Sequence, residues 1–182
     1  MIYQLNTDYF VRAPTENDLT GPYPAWFQDQ EVTRLNSHGK FFKNQQYFRD
    51  FYESLNREDK IVWAICHERD GHIGNISLQE MSFINRTAEF AVLIGNKSHW
   101  GKKVAYEAGK RLLFHGFHKL NLEKIYCGTA ENNEGMKKLA LALGMRQEGC
   151  RRHHVFLNGS RRDIIDFGIL KSEYKVSPTE YA

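Results

Sequence analysis

The residues from Ser98 to Ala105 have the composition of a turn that binds phosphate. They read Ser-His-Trp-Gly-Lys-Lys-Val-Ala, and they open a long amphipathic run that continues to Lys119. Successive backbone N–H groups at the start of a helix, together with the positive end of its dipole, form an anion site. Lys102 and Lys103 add positive charge. We therefore expect a polyanionic small molecule to bind at this turn.

Two other groups of residues have side chains suited to chemistry. The loop Asn36-Ser37-His38-Gly39, followed by two phenylalanines, is either a solvated connection or a loop that faces a substrate. The run Arg151-Arg152-His153-His154 is basic. Strand alternation would put Arg151 and His153 on one face, where they could steer an anionic substrate. A solvated strand edge is the commoner reason for such a run, which is too short to indicate nucleic-acid binding.

The elements that must position these residues follow from periodicity and turn signals. Asp70-Gly71 and Asn158-Gly159 are hairpin turns, and Thr15 followed by Asp18 resembles a helix start. The order predicts a mixed α/β domain, neither doubly wound nor a pure antiparallel sandwich. The strands expected are Tyr9–Arg12, Lys60–His67, His72–Met81, Ala88–Ile94, Lys124–Thr129, Met145–Leu157 and Arg161–Leu170, and the main helices are Lys43–Leu55, Lys102–His118 and Met136–Leu143.

Composition limits the class of protein. A chain of 182 residues with 41% hydrophobic and 26% charged residues fits one soluble domain over residues 1–182, with a tail from residue 172 expected to fray. The net charge of +3 is too weak to argue for nucleic acid. The three cysteines form no CxxC pair, so neither a zinc nor a redox signature is present and no metal is expected. With no signal peptide or membrane span in the pattern, a cytoplasmic location is expected.

Several short motifs, in order and spacing, resemble those of GNAT-family N-acetyltransferases, most closely the ribosomal-protein N-terminal acetyltransferase branch. The resemblance covers nearly the whole chain, and no single motif in it is specific alone. It rests on the following residues: Ala88-Glu89-Phe90 leading to Leu93-Ile94, Trp100-Gly101-Lys102 through Glu107-Ala108, Asn133 eleven residues before Gly144, Glu148-Gly149, and Asp163.

The resemblance implies a fold and a donor. The fold is a central, mostly antiparallel twisted sheet flanked by helices and splayed between the fourth and fifth strands, Ala88–Ile94 and Lys124–Thr129. The donor is acetyl-coenzyme A, used as a co-substrate. Backbone groups of Leu93 and Ile94 would pair with its pantetheine arm, and Asn133 would hydrogen-bond near that arm. The residues implied to grip the pyrophosphate are His99, Trp100, Gly101, Lys102, Lys103, Val104 and Ala105.

Two positions depart from the family pattern. Relatives usually have glycine where Lys103 stands, and glycine permits a positive φ and close backbone approach. Either the turn is remodelled and Lys103 contacts a phosphate, which we favour, or coenzyme binding is weakened. Many relatives also carry a serine where Met136 stands, so the usual hydroxyl beside the coenzyme sulfur is missing.

Three residues are candidates for proton transfer. Glu89 occupies the position where the family often keeps a carboxylate near the acceptor amine, so it is the candidate general base. His38 lies in a loop that shapes the acceptor pocket in the family and could shuttle a proton. Tyr126 could protonate the leaving thiolate. Each has a structural alternative: a solvated or arginine-paired carboxylate, a loop histidine, and a core tyrosine. Asn133 could likewise be only a helix N-cap.

The function expected is direct transfer of an acetyl group to a primary amine, since no cysteine lies in a nucleophile arrangement. The preferred acceptor is a small molecule such as an amino sugar or a nucleotide-linked amino sugar, because the first third of the chain is aromatic and polar and the closing hairpin is basic. A protein N-terminus is the first alternative. A non-catalytic acyl-coenzyme A sensor, suggested by Lys103 and Met136, is the second. No nucleic acid or membrane partner is expected, and a homodimer is an open option.

Overall fold

The computed structural model describes residues 2–56 and 58–176. In these residues, eight strands form one sheet in the order β1-β2-β3-β4-β5-β6-β8-β7. Neighbours in the sheet are neighbours in the chain except at β6, which pairs with β8 rather than with β7. The strands are β1 Ile2–Gln4, β2 Tyr9–Arg12, β3 Ile61–His67, β4 Gly71–Ser82, β5 Thr87–Ile94, β6 Lys124–Ala130, β7 Arg146–Leu157 and β8 Ser160–Leu170. The predicted mixed α/β, mostly antiparallel sheet flanked by helices is confirmed.

The sheet opens between its parallel strands, β5 and β6. Strand β5 pairs with β6 only at Thr87↔Lys124, Ala88↔Ile125 and Glu89↔Tyr126. Beyond Glu89 the two strands separate, while β5 stays paired with β4 as far as Ile94. The splay predicted between the fourth and fifth strands is therefore present, here between β5 and β6. It leaves one edge of β5 without a ladder partner.

Within the described parts of the chain, five α-helices flank the sheet: α1 Tyr23–Trp26, α2 Gln30–Thr33, α3 Gln45–Glu53, α4 Val104–Phe114 and α5 Glu134–Ala142. Helix α4 continues into a π-helical turn, His115–Lys119. Its apolar stripe, with Leu112 and Phe117 at 0% exposure, packs on Ile73 and Ile125 from the sheet in the main core. No helix in residues 2–56 or 58–176 is long and apolar enough to cross a bilayer.

A second core lies under α1–α3. The Tyr23 ring meets those of Trp26, Phe27 and Phe48 edge-on there, and Leu93 of β5 packs against this cluster. A Cβ on Gly95 would come within 1.8 Å of the Trp26 ring, so the glycine is needed for this close approach. The second core therefore holds the end of β5 just before the phosphate-binding turn.

The structure corrects two expectations about the chain ends and one about the first third. Strand β1 was not predicted, because three residues show no usable alternation. The tail was expected to fray from residue 172, yet Tyr174 packs its ring on Phe117 with centroids 5.0 Å apart, so this expectation is wrong for that part. Residues 177–182 of the tail lie outside the described residues. Helix α2, capped by the Asp29 side chain, was not predicted and precedes the expected loop Asn36–Gly39.

Candidate active site

The turn from Gly101 to Ala105 has the geometry of an anion cradle. Gly101 has φ +75° and Lys103 has φ +61°, so the chain turns sharply into the start of α4. Within the described chain, no hydrogen-bond acceptor meets the backbone N–H groups of Gly101, Lys102 and Lys103. The first N–H groups of α4, on Val104 and Ala105, also have no partner within the helix. These five amides and two lysines fit a pyrophosphate.

Lys103 adopts a backbone conformation that glycine reaches without strain. It is in the left-handed region, at φ +61° and ψ +5°, and stands at the N-cap of α4. A non-glycine residue there carries backbone strain of about 1–3 kcal/mol. Lys103 is therefore accommodated in a glycine-like conformation under strain, and its contact with a phosphate stays a prediction.

His99 and Trp100 support the turn from behind. The His99 ring is 1% exposed, with Nδ1 2.8 Å from the Tyr9 hydroxyl and Nε2 2.9 Å from the Asp70 carboxylate. The His99 amide donates to the Asn96 carbonyl and the Trp100 amide to the Lys97 carbonyl. The indole of Trp100 donates to the Ile94 carbonyl at 2.8 Å. These groups are engaged within the protein and position the cradle, and the predicted contact of His99 and Trp100 with the coenzyme stays a prediction.

A cleft of about 520 Å³ opens at the splay. Glu89 and Tyr126 are directly opposite each other there, at the last rung of the β5–β6 ladder. Burial raises the pKa of Tyr126, and the carboxylates of Glu80 and Glu89 raise it further, so its phenol stays protonated near neutral pH. We call this space the splay cleft. Its lining residues are Glu80, Glu89, Lys124, Tyr126, Glu148, Gly149, Arg151, Asp166 and Phe167.

The cations of the splay cleft are neutralised by two of its carboxylates. Lys124 Nζ lies 2.7 Å from Glu148, and Arg151 donates from Nε and Nη2 to Asp166 at 2.8–3.2 Å. Arg151 also contacts His154 at 2.8 Å rather than sharing a face with His153, because a bulge interrupts β7 after Arg151. The basic run is therefore not free to attract an anion through Arg151.

Glu80 and Glu89 are the remaining carboxylates. Glu89 accepts a hydrogen bond from the Gln79 amide at 2.7 Å. Glu80 lies in a bulge of β4 with φ +50°, which turns it out of the regular alternation. Within the described residues neither carboxylate has an ion-pair partner. Sequence reasoning missed Glu80, Glu148 and Asp166, and the bulge that places Glu80 leaves no signal in the sequence.

The other predicted residues lie elsewhere. His38 is outside the lining of the splay cleft, and its ring packs on Phe27 with centroids 5.3 Å apart. Burial, then the charge of Lys43, lowers the pKa of His38. The Asn133 side chain accepts a hydrogen bond from the Met136 amide at 3.2 Å. It therefore caps α5, which is the alternative role expected for it from the sequence. Met136 packs against the main core. Leu93 and Ile94 lie on the open stretch of β5.

Comparison with known proteins identifies the family. Residues 9–146 match the model of the acetyltransferase (GNAT) domain. The chain belongs to the GNAT acetyltransferase family. It is 36% identical over 139 residues to the spermidine N(1)-acetyltransferase of Vibrio cholerae, an alignment covering 70% of this chain and 80% of that protein. The predicted acyltransferase activity is confirmed at this level: the chain is an N-acetyltransferase of amines.

Solved structures agree with the fold. A spermidine N-acetyltransferase from Vibrio cholerae, in complex with CoA and spermine, superposes with a TM-score of 0.83 at 25% identity and covers 93% of this chain and 99% of that chain. A ribosomal RimL-type acetyltransferase in complex with coenzyme A also reaches 0.83, covering 93% of this chain and 98% of that one. At 15% identity the second likeness bears on the fold alone.

Proposed function

We propose that the chain transfers the acetyl group of acetyl-coenzyme A to a primary amine of an aliphatic polyamine of the spermidine class. The observation that carries the proposal is the charge of the splay cleft. Four carboxylates line it against two cations, and both cations are paired. Glu80 and Glu89 remain to attract a substrate with several ammonium groups. The spermidine acetyltransferase with 36% identity supports the same acceptor class.

An amino sugar, the acceptor expected from sequence, fits this cleft less well. That expectation relied on a basic closing hairpin, and its Arg151 is bound to Asp166. A nucleotide-linked sugar would bring phosphate towards Glu80 and Glu89, which repel it. The Vibrio cholerae relatives described above are named as spermidine acetyltransferases, and neither name refers to a sugar. A polyamine therefore replaces the amino sugar as the proposed acceptor.

The donor would be held by the turn and by β5. Amides of Gly101 to Ala105 would bind the pyrophosphate, with Lys102 and Lys103 neutralising its charge. The unpaired edge of β5 at Leu93 and Ile94 would accept the pantetheine arm as a strand accepts a neighbour. If the pantetheine arm follows this edge of β5 from Ile94 back towards Glu89, the thioester would lie beside Glu89 and Tyr126.

Glu89 and Tyr126 would divide the proton transfers. An amine attacks a thioester only after it loses its proton, and Glu89 would take that proton directly or through a water. Tyr126, kept neutral by its raised pKa, would donate to the leaving thiolate. Glu80 would hold an ammonium group that does not react. No cysteine enters this scheme, since none lines the splay cleft. Cys66 and Cys127 are also buried, and burial raises the pKa of both thiols, that of Cys66 to about 11 and that of Cys127 to about 12.

An amine panel with acetyl-coenzyme A tests the proposal by following free thiol, with mass spectrometry of the product. Spermidine should be acetylated with a higher kcat/KM than glucosamine or a short peptide with a free N-terminus. Turnover of the peptide alone would favour the ribosomal type of acceptor. Tight coenzyme binding without turnover of any amine would favour a sensor. Either result would overturn the proposal.

A further inference from the structure

Two imidazoles and a carboxylate converge behind the phosphate-binding turn, away from the splay cleft. His67 ends β3, Asp70 lies in the hairpin turn that follows, and His99 precedes the anion cradle. Their ligand atoms all lie within 4.8 Å of one another. His67 Nδ1 is 3.1 Å and His99 Nε2 is 2.9 Å from the same Asp70 oxygen. We propose that these three side chains form a binding site for a divalent transition-metal ion, with Zn²⁺ as the probe.

The donor set fits such an ion. Imidazole nitrogen and carboxylate oxygen bind Zn²⁺ at about 2.0–2.2 Å, so neighbouring ligand atoms in its shell are about 3.3 Å apart. The two distances to Asp70 are already close to this value. The two histidines must approach each other, which His67 can do because its side chain is partly exposed and stands at a strand end. Three protein ligands leave a fourth position for water.

The surroundings also fit. A ligating histidine usually donates its second nitrogen to a fixed partner, which sets the tautomer and the ring orientation. His99 has this arrangement, since its Nδ1 lies 2.8 Å from the Tyr9 hydroxyl while Nε2 faces the cluster. The Tyr9 and His67 rings also pack together at 5.0 Å. Asp70 is 47% exposed at its side chain, which gives an ion an entry path.

His67 and Asp70 are three residues apart, but His99 follows Asp70 by 29 residues, so the three ligands form no short metal-binding motif in the sequence. A bound ion would join the β3–β4 hairpin to the residue that starts the coenzyme turn. The alternative is that Asp70 only bridges two histidines by hydrogen bonds. The two arrangements differ in a measurable way, because a hydrogen-bonded cluster has no reason to bind one equivalent of metal.

The test is titration of the untagged full chain with Zn²⁺ by calorimetry, and with Co²⁺ by visible absorption. One equivalent should bind, and Co²⁺ should give the absorption of low-coordinate nitrogen and oxygen ligation. His67→Gln and Asp70→Asn should weaken binding more than about a hundredfold, and Tyr9→Phe, which keeps the ring, by about tenfold. His153→Gln is the control, since it removes an exposed histidine outside the cluster.

Thermal unfolding checks that the variants fold. Zn²⁺ should raise the Tm of the wild type and of His153→Gln but not that of His67→Gln, because an ion that binds only the folded state stabilises it. No stoichiometric binding would overturn the proposal. Equal affinity in the wild type, His67→Gln and Asp70→Asn would also overturn it. Amine acetylation does not enter these measurements, so they fail or succeed independently of the proposed function.

Discussion

At the scale of single residues, Lys103 combines two effects that the sequence cannot separate. Its backbone adopts the left-handed conformation that favours glycine, and its side chain adds charge beside the unpaired amides of the turn. Strain and ligand attraction act on different quantities. Backbone strain lowers the free energy of unfolding, whereas the charge raises affinity for the coenzyme.

Replacing Lys103 should therefore change stability and binding in opposite directions. Lys103→Gly should raise the free energy of unfolding by about 1 kcal/mol, because glycine removes the strain. The same variant should raise the Kd for coenzyme A about threefold through loss of an exposed charge. Chemical denaturation and calorimetry measure the two effects.

Lys102→Ala is the matched control, since Lys102 stands in the same turn and is not among the residues with positive φ. It should weaken coenzyme binding without the gain in stability. Tighter binding in Lys103→Gly would mean that the lysine hinders the coenzyme.

Glu89 is the residue whose replacement should separate chemistry from binding. Glu89→Gln keeps the shape of the side chain but removes the proton acceptor, so kcat for spermidine should fall about 10²–10⁴-fold. The Kd for coenzyme A should change little, because the turn at residues 101–105 is intact. Unchanged kcat would rule Glu89 out as the base. Gln79→Ala, which removes only the amide that donates to Glu89, should have a smaller effect.

At the scale of elements, periodicity was enough to predict the long strands and α4, because their apolar residues recur on one face. Short elements could not be predicted in this way, because β1 spans only three residues and α2 is a single turn. The site was only partly predictable. Glu89 and Tyr126 were both named, but the convergence of Glu80, Glu148 and Asp166 depends on bulges and on the β7–β8 register. A bulge shifts side chains without altering local composition.

The unpaired edge of β5 makes a prediction at this scale. Hydrogen exchange with and without coenzyme A should show new protection in residues 90–105, because the coenzyme would pair with the open strand edge and the turn. The β7–β8 hairpin near Asn158, which lies outside both, should be unaffected. Protection confined to other elements would mean that the coenzyme binds elsewhere.

At the scale of the whole molecule, one buried acid ties the first third of the chain to the sheet. Asp18, 6% exposed, receives two hydrogen bonds from Arg12 at 2.7 and 2.8 Å and one from the Thr15 amide at 2.7 Å. His72 Nδ1 lies 3.3 Å away. Burial alone would raise the pKa of Asp18, but Arg12, His72 and Thr15 together hold it well below its usual range.

Acid should therefore weaken the fold through Asp18. A carboxyl whose pKa is lowered in the folded state stabilises it above the unfolded pKa, and that contribution is lost as the pH falls. We expect the free energy of unfolding to decrease below about pH 4. Asp18→Asn should lower it by about 3 kcal/mol at pH 7 and flatten this acid dependence. Asp8→Asn, an exposed position, is the control. An unaltered acid dependence in Asp18→Asn would contradict this account.

The acidic splay cleft should select an acceptor with several positive charges. The measurement that tests it most directly is the ratio of kcat/KM for spermidine to that for butylamine, in the wild type and in Glu80→Gln. Since one charged hydrogen bond contributes about 1.5–3 kcal/mol, the wild type should prefer spermidine at least about tenfold, and Glu80→Gln should lose most of that preference. A wild-type ratio near one, or an equal fall for both amines in Glu80→Gln, would contradict the claim.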